Sequence, residues 1–167
     1  MTQDVRDPAR QAGHREALVA ELGVTARRYM AAYALFNQAM ADHLQLHPTD
    51  LQCLNLLGLE RDPVTTGRIA ELTGLTTGSA TRLVDRLERA GYVTRRRDSA
   101  DRRKVLVVTV PERMAEVGAV WSQLNRDWFA MFDTYDDEEI ALLTAHMQRT
   151  VDLSARQISR LRSGALG

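Results

Sequence analysis

The chain of 167 residues contains one cysteine, Cys53, four prolines and few aromatic side chains, which make up 5% of its residues. A single cysteine excludes a disulfide within the chain and a zinc site built from several thiolates. No run of 18 or more apolar residues occurs, so no membrane-spanning helix is expected. The first 15 residues are polar and lack the apolar segment of a secretory signal, so we expect a cytoplasmic protein.

Charge is balanced over the whole chain but not along it. The chain has 22 basic and 22 acidic residues, yet nine basic and only four acidic residues lie between Arg82 and Lys104. That segment therefore carries a net charge of +5 and the remainder −5. Segregated positive charge is typical of a surface that binds polyanions. Lys104 is the only lysine, and we attribute this general preference for arginine to a GC-rich genome.

Hydrophobic periodicity divides the chain into four parts. Residues 1–14 show no period and are predicted to be a disordered leader. An apolar stripe from Leu18 to Leu44 predicts an N-terminal dimerisation helix over residues 15–46, and further stripes predict C-terminal dimerisation helices over residues 111–163. These stripes hold more apolar surface than one lobe of this length needs, so we expect a homodimer.

The remaining part, residues 47–110, lies between the predicted dimerisation helices and has the order helix, helix, helix and two-stranded hairpin. Helices are predicted at 48–57, 67–73 and 77–90, and strands at 92–97 and 105–110. This order is typical of a winged helix-turn-helix, a DNA-binding lobe in which the last helix reads the major groove. The predicted fold class is mainly α with a small β-hairpin wing, flanked by long N- and C-terminal dimerisation helices.

The outer face of the predicted helix 77–90 and the hairpin loop carry hydroxyl groups and cations. Hydroxyls near a helix N-terminus suit phosphate, arginine suits guanine in the major groove, and loop arginines suit a narrow minor groove. The alternative is a solvated surface with no partner, but motif and charge together favour duplex DNA. Asp98 and Asp101 are expected to pair with neighbouring arginines and shape the loop. The candidate DNA-binding residues are Thr76, Thr77, Ser79, Thr81, Arg82, Arg86, Arg97, Arg102, Arg103 and Lys104.

The stretch from His47 to Pro111 resembles the MarR family (multiple antibiotic resistance regulators), which are dimeric bacterial transcription factors. The matching segments are the leucine-rich helix after Pro48, residues 69–75 (IAELTGL), residues 82–93 (RLVDRLERAGYV) and the wing, residues 97–104 (RDSADRRK). The resemblance implies interlocked terminal helices, recognition helices in successive major grooves of a palindromic operator, and wings in the minor grooves. It also suggests a repressor that a small-molecule effector releases. Family members often have Ser or Thr before the proline, so His47 is expected to leave this helix without its usual cap.

Other residues suggest chemistry that we do not favour. Four aromatic side chains at helical spacing could line a pocket for an aromatic effector, although such a pattern more often forms the core of a dimer interface. They are Tyr29, Tyr33, Trp121 and Trp128. Cys53 is interpreted as a core residue rather than a redox sensor. His43 and His47 have no further ligands that would complete a zinc site.

The sequence contains no catalytic or cofactor-binding motif, so neither an enzyme nor a cofactor is expected. Two alternatives to a DNA-binding regulator stay open. One is a winged helix used as a protein-interaction or dimerisation module. The other is a ligand-binding helical protein with a vestigial wing.

Overall fold

The structure is a computed structural model that describes residues 8–164, with side chains from residue 11 onwards. The chain divides into two compact units between Val117 and Gly118. The helices are α1 (Pro8–His43), α2 (Pro48–Leu57), α3 (Thr66–Thr73), α4 (Thr77–Arg89), α5 (Pro111–Ala130) and α6 (Asp137–Arg162). The strands are β1 (Val64–Thr65), β2 (Val93–Arg97) and β3 (Val105–Thr109). The expected fold class, mainly α with a small wing, is confirmed.

Helix α1 begins earlier and ends sooner than the sequence pattern indicated. Residues 8–14 were expected to be disordered but are helical, whereas residues 1–7 lie outside the described residues. Pro8 suits the first position of a helix, and the single Gly13 costs only about 1 kcal/mol relative to alanine. The helix ends at His43 because Gln45 takes a left-handed conformation (φ 55°), and the Leu46 N–H then donates to the Ala41 carbonyl.

Helix α2 has an N-cap that the sequence pattern did not predict. His47 was expected to leave this helix uncapped, but its ring nitrogen Nδ1 accepts a hydrogen bond from the Thr49 backbone N–H at 3.3 Å. Pro48 follows as the first helical residue, where its missing N–H is of no consequence. An imidazole nitrogen therefore replaces the usual hydroxyl at this helix end.

The core of the first unit forms where α2, α3, α4 and the strands meet. Helix α4 contributes one fully buried face and β2 contributes Val93. Gly74 ends α3 in a left-handed conformation (φ 74°), which lets the chain turn directly into α4. The largest fully buried side chains are Leu51, Cys53, Leu54, Ile69, Leu83, Val84, Leu87 and Val93.

The wing is a three-stranded antiparallel sheet rather than the expected two-stranded hairpin. Strand β3 lies in the centre, with Arg97 of β2 opposite Val105 and Val64 of β1 opposite Val107. Strand β1 has only two residues, too few to give a periodic signal in the sequence. It ties the base of the wing to the start of α3, because Thr65 is also the N-cap of that helix.

The second unit contains α5 from Gly118 onwards, a short 3₁₀ turn (Met131–Thr134) and α6. Asp136 and Glu139 form a capping box at the start of α6, which satisfies backbone donors of its first turn. Many apolar side chains of α6 are exposed, among them Leu142 and Val151. No helix between residues 8 and 164 combines the length and the apolarity needed to cross a bilayer.

Candidate nucleic-acid interface

Helix α4 has an apolar face that is buried and a polar face that is exposed. Ala80, Leu83, Val84 and Leu87 have no accessible surface. Their spacing places them on one side of the helix, as the 3.6-residue period requires. The opposite side exposes Thr77, Thr81 and Arg82, three of the candidate DNA-binding residues. The burial of the first face thus determines which side chains α4 presents to solvent.

The hydroxyl groups in the first turns of α4 are already hydrogen-bonded within the protein. Thr76 is the N-cap: its Oγ1 accepts from the Ser79 N–H at 3.3 Å and donates to Ser79 Oγ at 3.1 Å. The Thr81 hydroxyl donates to the Thr77 carbonyl at 2.9 Å. The Thr76 oxygen keeps one lone pair and the Thr81 oxygen keeps two that can accept a further hydrogen bond, whereas Ser79 Oγ already accepts from Thr76 and Arg82 and can only donate. They therefore hold the N-terminus of α4 in shape while remaining at its surface.

Two candidate arginines of α4 have very different surroundings. Arg82 is exposed, and its Nη2 makes a long hydrogen bond to Ser79 Oγ at 3.4 Å. Arg86, one turn later, donates from Nε and Nη2 to the two carboxylate oxygens of Asp50 in α2. These hydrogen bonds raise the pKa of Arg86. Among the candidates, Arg82 is therefore the long cation that α4 offers to solvent.

Arg95 of β2 joins helix α4 to the wing. Its Nη2 lies 2.6 Å from Asp85 Oδ1, and its Nη1 donates to Glu88 Oε2. The Arg95 backbone N–H also donates to Glu88 Oε1 at 3.0 Å. Arg95 is about a quarter exposed, so solvent screens these charges less than it would at the surface. The cluster sets the position of the wing strands against the C-terminal half of α4.

The wing loop, residues 98–104, is shaped by its two aspartates. Asp101 Oδ1 accepts from the Arg103 backbone N–H at 3.1 Å and from its Nε at 3.2 Å, which lowers the pKa of Asp101. This pairing is the one that the sequence predicted for Asp101. Asp98 instead accepts from the Ala100 backbone N–H at 2.8 Å. Both carboxylates are thus used to order the backbone on which the cations are placed.

The cations at the end of β2 and in the wing loop point into solvent. Arg97, Arg102, Arg103 and Lys104 are all exposed, and the Arg103 side chain is 92% exposed despite its contact with Asp101. The Lys104 backbone N–H closes a tight turn on the Asp101 carbonyl at 2.8 Å. Three consecutive cations therefore stand at the tip of an ordered loop.

An open cavity of about 570 Å³ lies between the α2–β1 loop, the start of α3 and the wing loop. Its lining carries charges of both signs, including Arg61, Asp62, Arg68 and Lys104. None of the four aromatic residues considered for an effector pocket lines it. Its chemistry is therefore that of a polar surface groove.

Cys53 lies in α2 with 1% of its surface exposed. Burial, with a further contribution from the Asp50 carboxylate, raises the pKa of its thiol to about 12. Nucleophilic cysteines need a depressed pKa and access to solvent. The environment of Cys53 is that of an inert core thiol, in line with the interpretation from the sequence.

The sequence pattern did not single out Asp50 or the partners of Arg95. Asp50 stands in the first turn of a helix, where an acidic residue is usually explained by the helix dipole. Its partner is 36 residues away, so no local spacing reveals the pair. An acidic residue on an otherwise leucine-rich helix was the available signal.

Comparison with known proteins places this lobe among bacterial regulators. Residues 44–104 match the model of the MarR family. An uncharacterized HTH-type transcriptional regulator of Bacillus subtilis, YcgE, is 38% identical over 128 residues, which are 77% of this chain and 82% of that protein.

Solved structures show a similar architecture. A MarR family protein from Bacillus stearothermophilus is 26% identical with a TM-score of 0.64, over 84% of this chain and 97% of that one. A MepR variant from S. aureus, solved with an oligodeoxyribonucleotide, is 18% identical with a TM-score of 0.53, over 80% of this chain and 96% of that one. At 18% identity, the similarity to the MepR variant shows only that the two chains share a fold.

We expect Arg95→Met to lower the free energy of unfolding by about 1 to 3 kcal/mol, because Asp85 and Glu88 lose their shared cation. Arg96→Met is the matched control, since Arg96 is the exposed neighbour in the same strand. Its unfolding free energy should stay within about 0.5 kcal/mol of the wild-type value. Urea unfolding measures both, and equal effects of the two substitutions would contradict the role assigned to Arg95.

Proposed function

The chain belongs to the MarR family of HTH-type transcriptional regulators, and from this premise we propose that it is a homodimeric repressor. It binds a palindromic duplex operator in the cytoplasm and is released by a small ligand. Members of this family are DNA-binding regulators rather than enzymes. The observation that carries the proposal is the wing tip, where two aspartates order a loop that projects three cations.

The proposed contacts follow from what each side chain leaves free. The exposed hydroxyls and Arg82 of α4 meet the major groove, with phosphates near the helix N-terminus. Arg102 and Arg103 enter the minor groove, where a narrow groove concentrates negative potential. The other contacts that we propose are Thr76, Thr77, Ser79, Thr81, Arg97 and Lys104. Arg86 is left out of this set because Asp50 holds it.

The combined substitution of Arg102→Ala and Arg103→Ala should weaken duplex binding at least about tenfold. It should also reduce the slope of log affinity against log salt concentration by the equivalent of about one to two phosphate contacts. The probes are duplexes that the wild-type protein selects from a random-sequence library. Fluorescence anisotropy at several salt concentrations gives the affinity and its slope. Arg149→Ala in α6 is the control, because this exposed arginine has no proposed contact, and it should leave both unchanged.

Three outcomes of this titration would contradict the proposal. A double variant with wild-type affinity and slope would show that the wing does not bind DNA. A wild-type protein that selects no duplex would favour a protein-interaction module. A wild-type protein that binds small molecules but no duplex would favour a ligand-binding protein with a vestigial wing.

The proposed dimer is supported by apolar side chains that the single chain leaves in solvent. Along α1, Leu18, Leu22 and Tyr29 are 52%, 54% and 58% exposed. The helix of 36 residues is about 54 Å long at 1.5 Å per residue. From residue 11 onwards, the buried side chains of α1 are Met40 and Ala41, near its C-terminal end. Leu142, Val151 and Leu161 of α6 are exposed by 60% or more. Apolar surface of this extent is typical of a subunit interface.

Sedimentation equilibrium should give twice the mass of one chain for the wild-type protein. Leu22→Glu should shift the mass toward that of one chain, because a carboxylate would be buried in the interface. Leu59→Glu, in the loop after α2, is the control, since Leu59 is 80% exposed but lies outside the long helices. A monomeric wild-type protein, or an asymmetric footprint on the selected duplex, would exclude the two-fold arrangement.

Release by a ligand follows from the resemblance, and the aromatic rings of the second unit offer contacts for it. Trp128 and Phe132 have ring centroids 4.7 Å apart, and Trp128 remains 44% exposed. A ligand releases DNA only if it binds more tightly to the form with misplaced recognition helices.

Benzoate, used as a first aromatic probe, should quench tryptophan fluorescence and lower operator affinity over the same concentration range. The size of the loss in affinity measures how strongly the ligand discriminates between the two forms. Unchanged affinity for DNA across a wide range of small aromatic acids and amines would favour a regulator that acts without a ligand.

A further inference from the structure

We propose that Asp50 and Arg86 are a positioning pair that fixes the rotation of the recognition helix, α4, on the lobe. The proposal rests on the proposed function, because its consequence is the accuracy with which Arg82 and Thr81 meet the major groove. Asp50 and Arg86 act through these neighbours and do not touch DNA themselves.

The geometry of the pair constrains orientation as well as distance. Arg86 Nε lies 2.9 Å from Asp50 Oδ2, and Arg86 Nη2 lies 2.6 Å from Asp50 Oδ1. Two parallel hydrogen bonds between a planar guanidinium and a planar carboxylate hold both groups in one plane. A single bond would fix the distance between the two groups but not their relative orientation. The paired bonds therefore link α4 to α2 in one defined orientation.

The carboxylate is anchored on a part of the lobe that does not face solvent. Asp50 is only 3% exposed, and it is flanked in α2 by the fully buried Leu51. A buried carboxylate is costly unless a cation and hydrogen bonds compensate for its lost hydration. Arg86 supplies both, and its own side chain is 41% exposed. The buried partner is thus fixed by the core, and the cation reaches it from the edge of α4.

The position of Arg86 in α4 makes its orientation relevant to DNA. It follows Arg82 by four residues, so the two side chains lie on neighbouring turns of the same face. Side-chain atoms lie roughly 6 Å from a helix axis, so a rotation of 20° moves them by about 2 Å. A displacement of that size breaks a bidentate contact with a base, whose hydrogen bonds span about 2.7–3.2 Å.

A bidentate contact between Arg86 and a base through its Nε–Nη2 edge would require the same atoms that donate to Asp50. The Nε–Nη2 edge of the guanidinium is occupied, and the positive charge is compensated by the carboxylate. In the described structure, Arg82 forms no ion pair with an acidic side chain, and its hydrogen bond is to the Ser79 hydroxyl. We therefore expect substitutions of Arg82 and of Arg86 to have different effects on DNA affinity and on its salt dependence in the same assay.

The test compares Asp50→Asn, Arg86→Lys and Arg82→Gln with the wild-type protein. Each protein is titrated against a duplex selected by the wild type and against a scrambled duplex of equal length and composition. The titrations are repeated over a range of salt concentrations. Thermal unfolding by circular dichroism establishes that each variant is folded at the assay temperature.

Asp50→Asn should weaken binding to the selected duplex about tenfold, with affinity for the scrambled duplex and the salt slope unchanged. Arg86→Lys should behave in the same way although it keeps the charge, because lysine cannot make the paired bonds. Arg82→Gln should instead weaken binding to both duplexes and flatten the salt slope by about one cation. The double variant Asp50→Asn with Arg86→Gln should lose no more than Asp50→Asn alone, since both changes break one interaction.

Several results would overturn the positioning role. Tighter binding by Asp50→Asn would mean that a released Arg86 contacts DNA. Wild-type affinity in Asp50→Asn or in Arg86→Lys would mean that the paired bonds are not needed. Equal losses on both duplexes, together with a lower melting temperature, would reduce the pair to a stabilising contact. Failure of the wild-type protein to bind any duplex would refute the proposed function itself, and the positioning role with it.

Discussion

Burial of the apolar face of α4 is the constraint on which the rest of this lobe depends. Four of its side chains are completely removed from solvent, among them Leu83 and Leu87. Because a helix can bury only one side against a lobe of this size, the same packing leaves the hydroxyls and Arg82 outward. The clusters around Asp50 and Arg95 then refine this placement by tying α4 to α2 and to the wing. Hydrophobic packing selects the face, and charged hydrogen bonds set its orientation.

The architecture could be read from the sequence because its signals are local. The 3.6-residue period of α4, the glycine after α3 and the switch to alternating residues in β2 each lie within a short window. The exposure of the wing cations could also be predicted from the sequence, because a run of arginines between two strands is rarely buried in a core. The match between these local signals and the observed elements explains why the fold class was predicted correctly.

The parts that the sequence did not reveal depend on contacts between distant residues. Strand β1 exists because β3 offers it an edge, and its two residues have no pattern of their own. Asp50 and Arg86 are separated by 36 positions, and each has a plausible local explanation. His47 looked like the loss of a cap because the expected residue is a hydroxyl, yet its ring nitrogen accepts the same hydrogen bond. Chemical function at a site can thus be kept while residue type changes.

The scarcity of lysine has a practical consequence. Lys104 is the sole lysine of the chain, and it is exposed at the end of the wing loop. Reagents that acylate amines therefore meet one side-chain target, apart from the terminal amino group. Guanidiniums elsewhere are far less nucleophilic because they remain protonated. A dye attached to Lys104 by amine acylation would therefore report on the wing loop that is proposed to bind duplex DNA, with no engineered cysteine required.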